Sequence, residues 1–275
     1  MTTASVRPAA VSRQVPWVPV LLVLGCAGLA GLAPLWLLLL SPILLGVPHV
    51  AADLRYLVLE PPRPLARGLL FAVGGCLLAM TLLRLGALLG GPAWLRAELG
   101  MGLLAVGLAV AWSARWGWLI PLGALGAGAL AWPGEAALLV GHAHNAVAVA
   151  LWVAWARGPL RWWVPALVLA VLGVLASGAL DGWLLAICAE DAAGLSLSGM
   201  VRSLAPDLPG AWGLRAVVAF AFMQAVHYAA WLVAIPMARH GHPLVGWREA
   251  LGSVGVAAVV LGTTCLLYTS DAADE

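Results

Sequence analysis

Three short segments hold the side chains of this sequence that could perform chemistry, and each places a histidine in an apolar run. They are residues 46–53 (GVPHVAAD), 141–145 (GHAHN) and 224–228 (QAVHY), the last followed by Trp231. Polar side chains are costly in hydrocarbon and usually mark function there. Three or four imidazoles with one carboxylate suit Fe(II), Zn(II) or Cu. The sequence therefore predicts a metal centre.

In the first segment, His49 and Asp53 are four residues apart and share one helix face. The carboxylate of Asp53 can bind a metal directly or orient the imidazole of His49. Pro42 and Pro48 disturb the helix just before His49. We predict that both His49 and Asp53 belong to the metal site; the alternative is a buried His–Asp hydrogen bond that joins two helices.

The second segment offers two histidines, His142 and His144, which lie about 200° apart around a helix. Both can face one point only if Gly141 opens the helix locally. His142 and Asn145 share a face. We predict His142 as the inward ligand, His144 as a contact to another helix or a further ligand, and Asn145 as a substrate contact. Structural histidines bonded to carbonyls are the alternative.

In the third segment, Gln224, His227 and Trp231 lie on one helix face. We predict His227 as a ligand and Trp231 as an aromatic wall against the substrate. Gln224 and Tyr228 would act in catalysis by positioning substrate or a bound water. The alternative is a lone structural histidine among apolar residues.

The elements that must position these histidines are transmembrane helices. Of 275 residues, 63% are hydrophobic and 9% charged, with a mean hydropathy of +1.00, whereas soluble proteins carry about 25% charged residues. Long Leu, Ala, Val and Gly runs without alternation favour helices over a membrane barrel. We predict an all-α bundle of about eight or nine spans. The net charge of +2 argues against a nucleic-acid partner.

The topology follows from the arginines, since the chain has fourteen Arg and no Lys. A cytoplasmic N-terminus puts ten arginines inside and four outside, as the positive-inside rule expects. This arrangement predicts a multi-pass protein of a bacterial inner membrane. All three histidine segments then run from outside to inside, so they can converge. Residues 181–213 form an external loop, either a lid or a surface-lying amphipathic segment. The predicted spans are 17–33, 35–59, 68–89, 97–112, 116–132, 135–155, 162–180 and 214–238, with a ninth beginning near Glu249.

The last eleven residues, 265–275 (CLLYTSDAADE), read as a translated sequencing adapter. We therefore expect a single membrane domain over residues 1–264, continuing into unseen sequence. Cys26, Cys76 and Cys188 remain, and no CxxC pattern occurs. The sequence thus indicates neither a disulfide framework nor a zinc–thiolate site.

Residues 46–53 resemble the G-x-P-H-x-x-x-D motif of the bacterial β-carotene dioxygenase family (Brp/Blh type). Members of that family are multi-helix membrane proteins that cleave β-carotene to retinal with a histidine-bound iron. The resemblance implies that His49 is an iron ligand. His142 or His144 is a loose counterpart of a second family motif, H-F-x-x-x-D. A third, H-x-x-x-H, is only half present, because Trp231 follows His227 where the second histidine would stand.

These observations favour an intramembrane non-haem iron oxygenase that acts on a lipophilic substrate, such as an isoprenoid, a carotenoid or an acyl chain. A zinc hydrolase is a variant with the same ligands. A b-type haem electron carrier is the first alternative, because histidines on separate helices also hold haem. A transporter with a midplane His/Asp site is the second.

Overall fold

A computed structural model describes residues 17–46, 48–49, 67–90, 93–113, 116–156, 158–189 and 192–234. Within these ranges the chain is helical and has no strand, apart from an isolated bridge between Ala192 and Leu195. The predicted all-helical class is therefore confirmed. The chain divides into a first unit, Met1–Ala52 with His144–Glu275, and a second unit, Asp53–Ala143. The prediction of a single membrane domain stays a prediction.

The helices follow the predicted apolar runs closely. In chain order they are α1 (Val18–Leu32), α2 (Pro34–Ser41) with a π-helical turn (Pro42–Gly46), α3 (Arg67–Gly90), α4 (Ala93–Trp112), a 3₁₀ turn (Trp116–Trp118), α5 (Leu119–Ala131), α6 (Pro133–Trp155), α7 (Leu160–Ser177), α8 (Asp181–Ile187), α9 (Leu197–Leu204), and α10 (Ala211–Ala229) with a second π-helical turn (Ala230–Ala234).

Helix α10 forms the centre of the first unit, where it packs against α1, α2, α7, α8 and α9. Its residues Val217, Val218, Ala221 and Phe222 have no exposed surface. A helix that is apolar all round is expected in the interior. Because His227 lies in the last turn of this helix, the core holds its imidazole in place.

Helices α1 and α2 meet at a bend of 114°. Pro34 begins α2, and the residue before a proline is pushed out of the helical region. Ala33 accordingly has φ −152° and ψ 56°. The bend lies between the first two predicted spans, 17–33 and 35–59, and redirects the chain toward the segment that carries His49.

A second bend, of 86°, separates α7 from α8. It occurs at Gly178, whose φ of +77° is the left-handed conformation that ends many helices. Arg215 of α10 donates from Nη2 to Oδ2 of Asp181 at 2.7 Å and from Nη1 to the carbonyl of Ala176 at 3.0 Å. A Cβ at Gly178 would collide with this guanidinium, so the bend needs glycine for conformation and for space.

In the second unit, α3 packs against α4, and α4 against α5. In both contacts, a long side chain of one helix packs against a glycine of the other. A Cβ at Gly102 would lie 3.4 Å from Met80, and one at Gly126 would lie 3.0 Å from Leu103. Small residues let these helices approach closely.

The connection predicted as a loop over residues 181–213 contains two helices, α8 and α9. The external location predicted for this connection stays a prediction. Helix α9 is amphipathic: Leu197, Met200 and Val201 pack toward the core, whereas Ser198 and Arg202 are exposed. The amphipathic alternative fits this part of the connection.

Two helical stretches among the described residues, Pro133–Ala154 and Ala211–Ala234, are long and apolar enough to cross a membrane. The number rises to four if each bent pair counts as one span. The prediction of eight or nine spans goes beyond this and stays a prediction. The predicted ninth span, near Glu249, lies outside the described residues.

Candidate metal centre

Three histidines of the first unit converge from three separate segments. His49 follows the π-helical turn that ends at Gly46, His144 lies in the middle of α6, and His227 lies in the last turn of α10. The second π-helical turn begins three residues after His227, at Ala230. Turns of π-helix inside helical segments frequently accompany functional sites.

The ring nitrogens of these histidines are close enough to share one ion. Nε2 of His49 lies 3.1 Å from Nε2 of His227. One nitrogen from each of His49, His144 and His227 can be chosen so that all three lie within 4.8 Å of one another. The ring centroid of His227 is 4.6 Å from that of His49 and 4.6 Å from that of His144. His227 is therefore the central member of the cluster.

Burial differs within the cluster. His49 and His227 keep only 6% and 1% of their surface exposed, whereas His144 is exposed. Buried imidazoles in an apolar core need a polar partner or a metal. His144 is therefore the member of the cluster with the most access from outside.

The donor set fits a metal ion. With metal–nitrogen bonds of about 2.1 Å, two ligands at a right angle lie about 3.0 Å apart and two tetrahedral ligands about 3.4 Å. The observed 3.1 Å between His49 and His227 falls in this range. A hydrogen bond between the two rings also explains that distance, but it gives no reason for the third imidazole of His144.

Gln224 and Tyr228 lie together beside the cluster. Nε2 of Gln224 donates to the Tyr228 hydroxyl at 3.3 Å. The Tyr228 ring lies 5.6 Å from that of His49 and 5.7 Å from that of His227. A Cβ at Gly46 would lie 3.4 Å from the same hydroxyl, a contact that the sequence did not reveal. Because the Tyr228 hydroxyl accepts a hydrogen bond from Gln224, its own proton is available for donation to another group.

The two predicted substrate residues are both buried. The Trp231 ring lies 5.6 Å from that of His49, so it forms part of the wall of the site. Asn145 is next to His144 in the chain and is 4% exposed. Its amide nitrogen has no hydrogen-bond partner among the described residues. Asn145 therefore holds a donor that an incoming polar group can use.

The structure changes which histidine of the second segment is placed in the metal site. His144, not His142, joins His49 and His227. The two histidines are about 200° apart, so a helix that turns one toward the cluster turns the other away. Asp53, the predicted carboxylate of the site, lies outside the described residues.

The assignment of His144 to the cluster leads to a testable prediction. We expect His144→Ala to lower metal affinity by more than the 10–100-fold typical of residues that only orient a ligand. His142→Ala serves as a matched control, because it removes the same side chain from the same helix. Bound metal would be measured by mass spectrometry after purification in detergent. If His142→Ala loses more bound metal than His144→Ala, then His142 is the ligand, as the sequence predicted.

No protein family, curated protein or solved structure matches this chain. The resemblance of residues 46–53 to the β-carotene dioxygenase motif therefore stays a prediction. What bears on function is the geometry of the three histidines and the residues around them.

Proposed function

We propose that this chain is an integral membrane metalloenzyme in which His49, His144 and His227 hold a non-haem iron, and that it oxygenates a lipophilic substrate. The observation that carries the proposal is the convergence of three imidazoles from separate helical segments. Three histidines with open positions are a common way to hold a catalytic metal.

The spacing favours a metal ion over haem. The two axial ligands of a haem lie on opposite sides of the iron, about 4.2 Å apart with bonds of about 2.1 Å. His49 and His227 are closer, at 3.1 Å between Nε2 atoms. His144 would also be left without a role in a two-ligand haem site.

An iron ion would supply one-electron and O₂ chemistry. The chain itself contributes the positions of the ligands and a proton donor. Tyr228 faces both His49 and His227, and Gln224 fixes its hydroxyl, so its O–H can be directed at a substrate oxygen near the cluster. Asn145 offers a second donor on the side of His144.

We propose that the chain resides in a bacterial inner membrane with eight or nine spans, and its exposed apolar surface supports the membrane location. Many large apolar side chains are exposed, among them tryptophans at the ends of the predicted spans. Exposed apolar surface on this scale marks a membrane or a partner, and tryptophan is enriched at the membrane interface. The exposed tryptophans at these span ends are Trp17, Trp112, Trp116, Trp132 and Trp162. A substrate reaching the site from lipid would be largely apolar.

Metal analysis combined with an absorption spectrum tests the proposal. Purified full-length protein is expected to contain about one iron per chain and to show no Soret band. His227→Phe, which keeps the buried space filled, provides the blank. A Soret band would support the haem carrier, zinc without iron would support a hydrolase built on the same ligands, and no metal would favour the transporter.

The topology can be tested separately by cysteine labelling on intact cells, after Cys188 is replaced by serine. With a cytoplasmic N-terminus, a cysteine introduced at Ser196 is expected to react with an impermeant maleimide, whereas one at Gly158 is not. Both positions lie outside the long helices. The parent without added cysteine is the control, since Cys26 and Cys76 are buried. Labelling at Gly158 alone would invert the topology.

A further inference from the structure

Two apolar cavities of the first unit are both lined by α1, α7 and α10, and the smaller one is also lined by α6. The larger has a volume of about 330 Å³ and is lined by Ala30, Gly31, Val171, Val218 and Phe222, among others. The smaller holds about 20 Å³ and is lined by residues that include Val23, Cys26, Ala148, Val164 and Val226. The larger volume is within the range of pockets that hold small molecules, about 300–1,000 Å³.

The two cavities follow one another along the same three helices. On α1 the smaller cavity uses residues 19–26 and the larger one 27–31. On α10 and its π-helical turn the order is reversed, with 226–234 in the smaller and 218–222 in the larger. The cavities are therefore consecutive parts of one seam. From residue 218 to residue 234 the seam is about 24 Å long at about 1.5 Å per residue.

The lining of the seam selects for hydrocarbon. Among the described residues, no charged side chain, amide or hydroxyl lines either cavity. Water needs polar partners to occupy a cavity, and a sugar or nucleotide would lose its hydrogen bonds here. The small side chains of Ala27, Ala30 and Gly31 leave space for the cavity on the α1 side. A narrow, long and apolar space of this kind fits an unbranched aliphatic chain.

The smaller cavity is lined by residues that neighbour the histidine cluster along α6 and α10, although none of the three histidines lines it. Ala148 is one helical turn from His144, and Val226 directly precedes His227. We infer that the α1–α7–α10 seam binds a single linear aliphatic chain of a free lipid, with one end of the chain beside the three histidines. That the bound chain is oxygenated rests on the proposed function. That the chain binds in the seam does not.

Photolabelling tests this site with full-length protein in nanodiscs. The probe is palmitic acid with a diazirine near its methyl end, and labelled peptides are mapped by mass spectrometry. Labelling is expected on α1, α7 and α10. Gly31→Leu fills the larger cavity, since a Cβ at Gly31 meets open space, and it preserves the Gly31 carbonyl that accepts from Nε1 of Trp183 at 2.9 Å. We expect it to lower labelling about tenfold.

Gly28→Leu is the matched control. It makes the same change on the same helix into open space, at an exposed position that does not line the cavity. Equal labelling of Gly31→Leu and Gly28→Leu, or labelling spread evenly over exposed helices such as α3, would overturn the site in favour of bulk lipid. A phospholipid with the same diazirine chain forms the second arm. Stronger Gly31-dependent labelling by that phospholipid would contradict a free lipid.

A metal-free variant separates this inference from the proposed function. His49→Ala is expected to lose bound metal yet keep Gly31-dependent labelling, because His49 does not line the seam. If the wild type shows Gly31-dependent labelling but binds no metal, the chain-binding site is supported and the proposed oxygenase is wrong. If it binds metal but shows no Gly31-dependent labelling, the oxygenase is still supported and the chain-binding site is wrong.

Discussion

Replacing His227 with phenylalanine is expected to abolish metal binding. His227 is the central ring of the cluster, with Nε2 3.1 Å from that of His49 and its centroid 4.6 Å from that of His144. Its loss would leave two imidazoles whose centroids are 6.4 Å apart. The outcome would be measured as metal per chain after equilibration with Fe(II) and, separately, with Zn(II).

Phenylalanine is chosen because His227 is 1% exposed, so alanine would open a cavity in the core. The melting temperature in detergent checks that the variant folds. Added metal should raise that temperature in the wild type, since a ligand that binds only the folded state stabilises it, and should leave His227→Phe unchanged. A folded variant that keeps its metal would remove His227 from the ligand set and the proposed centre with it.

The sequence predicted the members of this cluster better than its geometry. An imidazole in an apolar run is costly in lipid wherever it sits, so His49, His144 and His227 could be selected from type and surroundings alone. Which of two neighbouring histidines faces the cluster depends on helix rotation, and rotation depends on packing partners far away in the sequence.

Helix α6 shows why its rotation could not be predicted. Its buried stripe consists of Asn145, Ala148 and Trp152. On a helical projection His144 lies about 70° from the centre of that stripe on one side, and His142 about 90° on the other. The two candidates are thus nearly equivalent in sequence. Only the position of His227, more than eighty residues later, distinguishes them.

The positions of the two bends agree with predicted span ends, but their angles could not be predicted. Pro34 lies between the predicted spans 17–33 and 35–59, and Gly178 lies near the end of the predicted span 162–180. Proline and glycine are ordinary within membrane helices, so neither gives a bend angle by itself. At Gly178 the deciding contact is the ion pair of Arg215 with Asp181, 34 residues apart, which holds the left-handed turn closed.

The largest effect on stability is expected from Phe222→Ala. Phe222 has no exposed surface and lies in the core cluster where α10 meets its neighbours. Truncating a buried phenylalanine costs about 3–5 kcal/mol, because the surrounding side chains close the resulting cavity only in part. In hydrocarbon this cost comes mainly from lost packing, since lipid is as apolar as the core. Unfolding would be followed by titration with sodium dodecyl sulfate, and the free energies compared with the wild type.

Phe71→Ala makes the same truncation at a position that is 80% exposed. It removes an equal amount of apolar surface without opening a cavity, so its effect should stay within about 0.5 kcal/mol of zero. The difference between the two variants therefore isolates the packing contribution of α10. Equal destabilisation by both would mean that α10 is not the packed centre of the first unit. Helix α10 would then no longer account for the fixed position of His227.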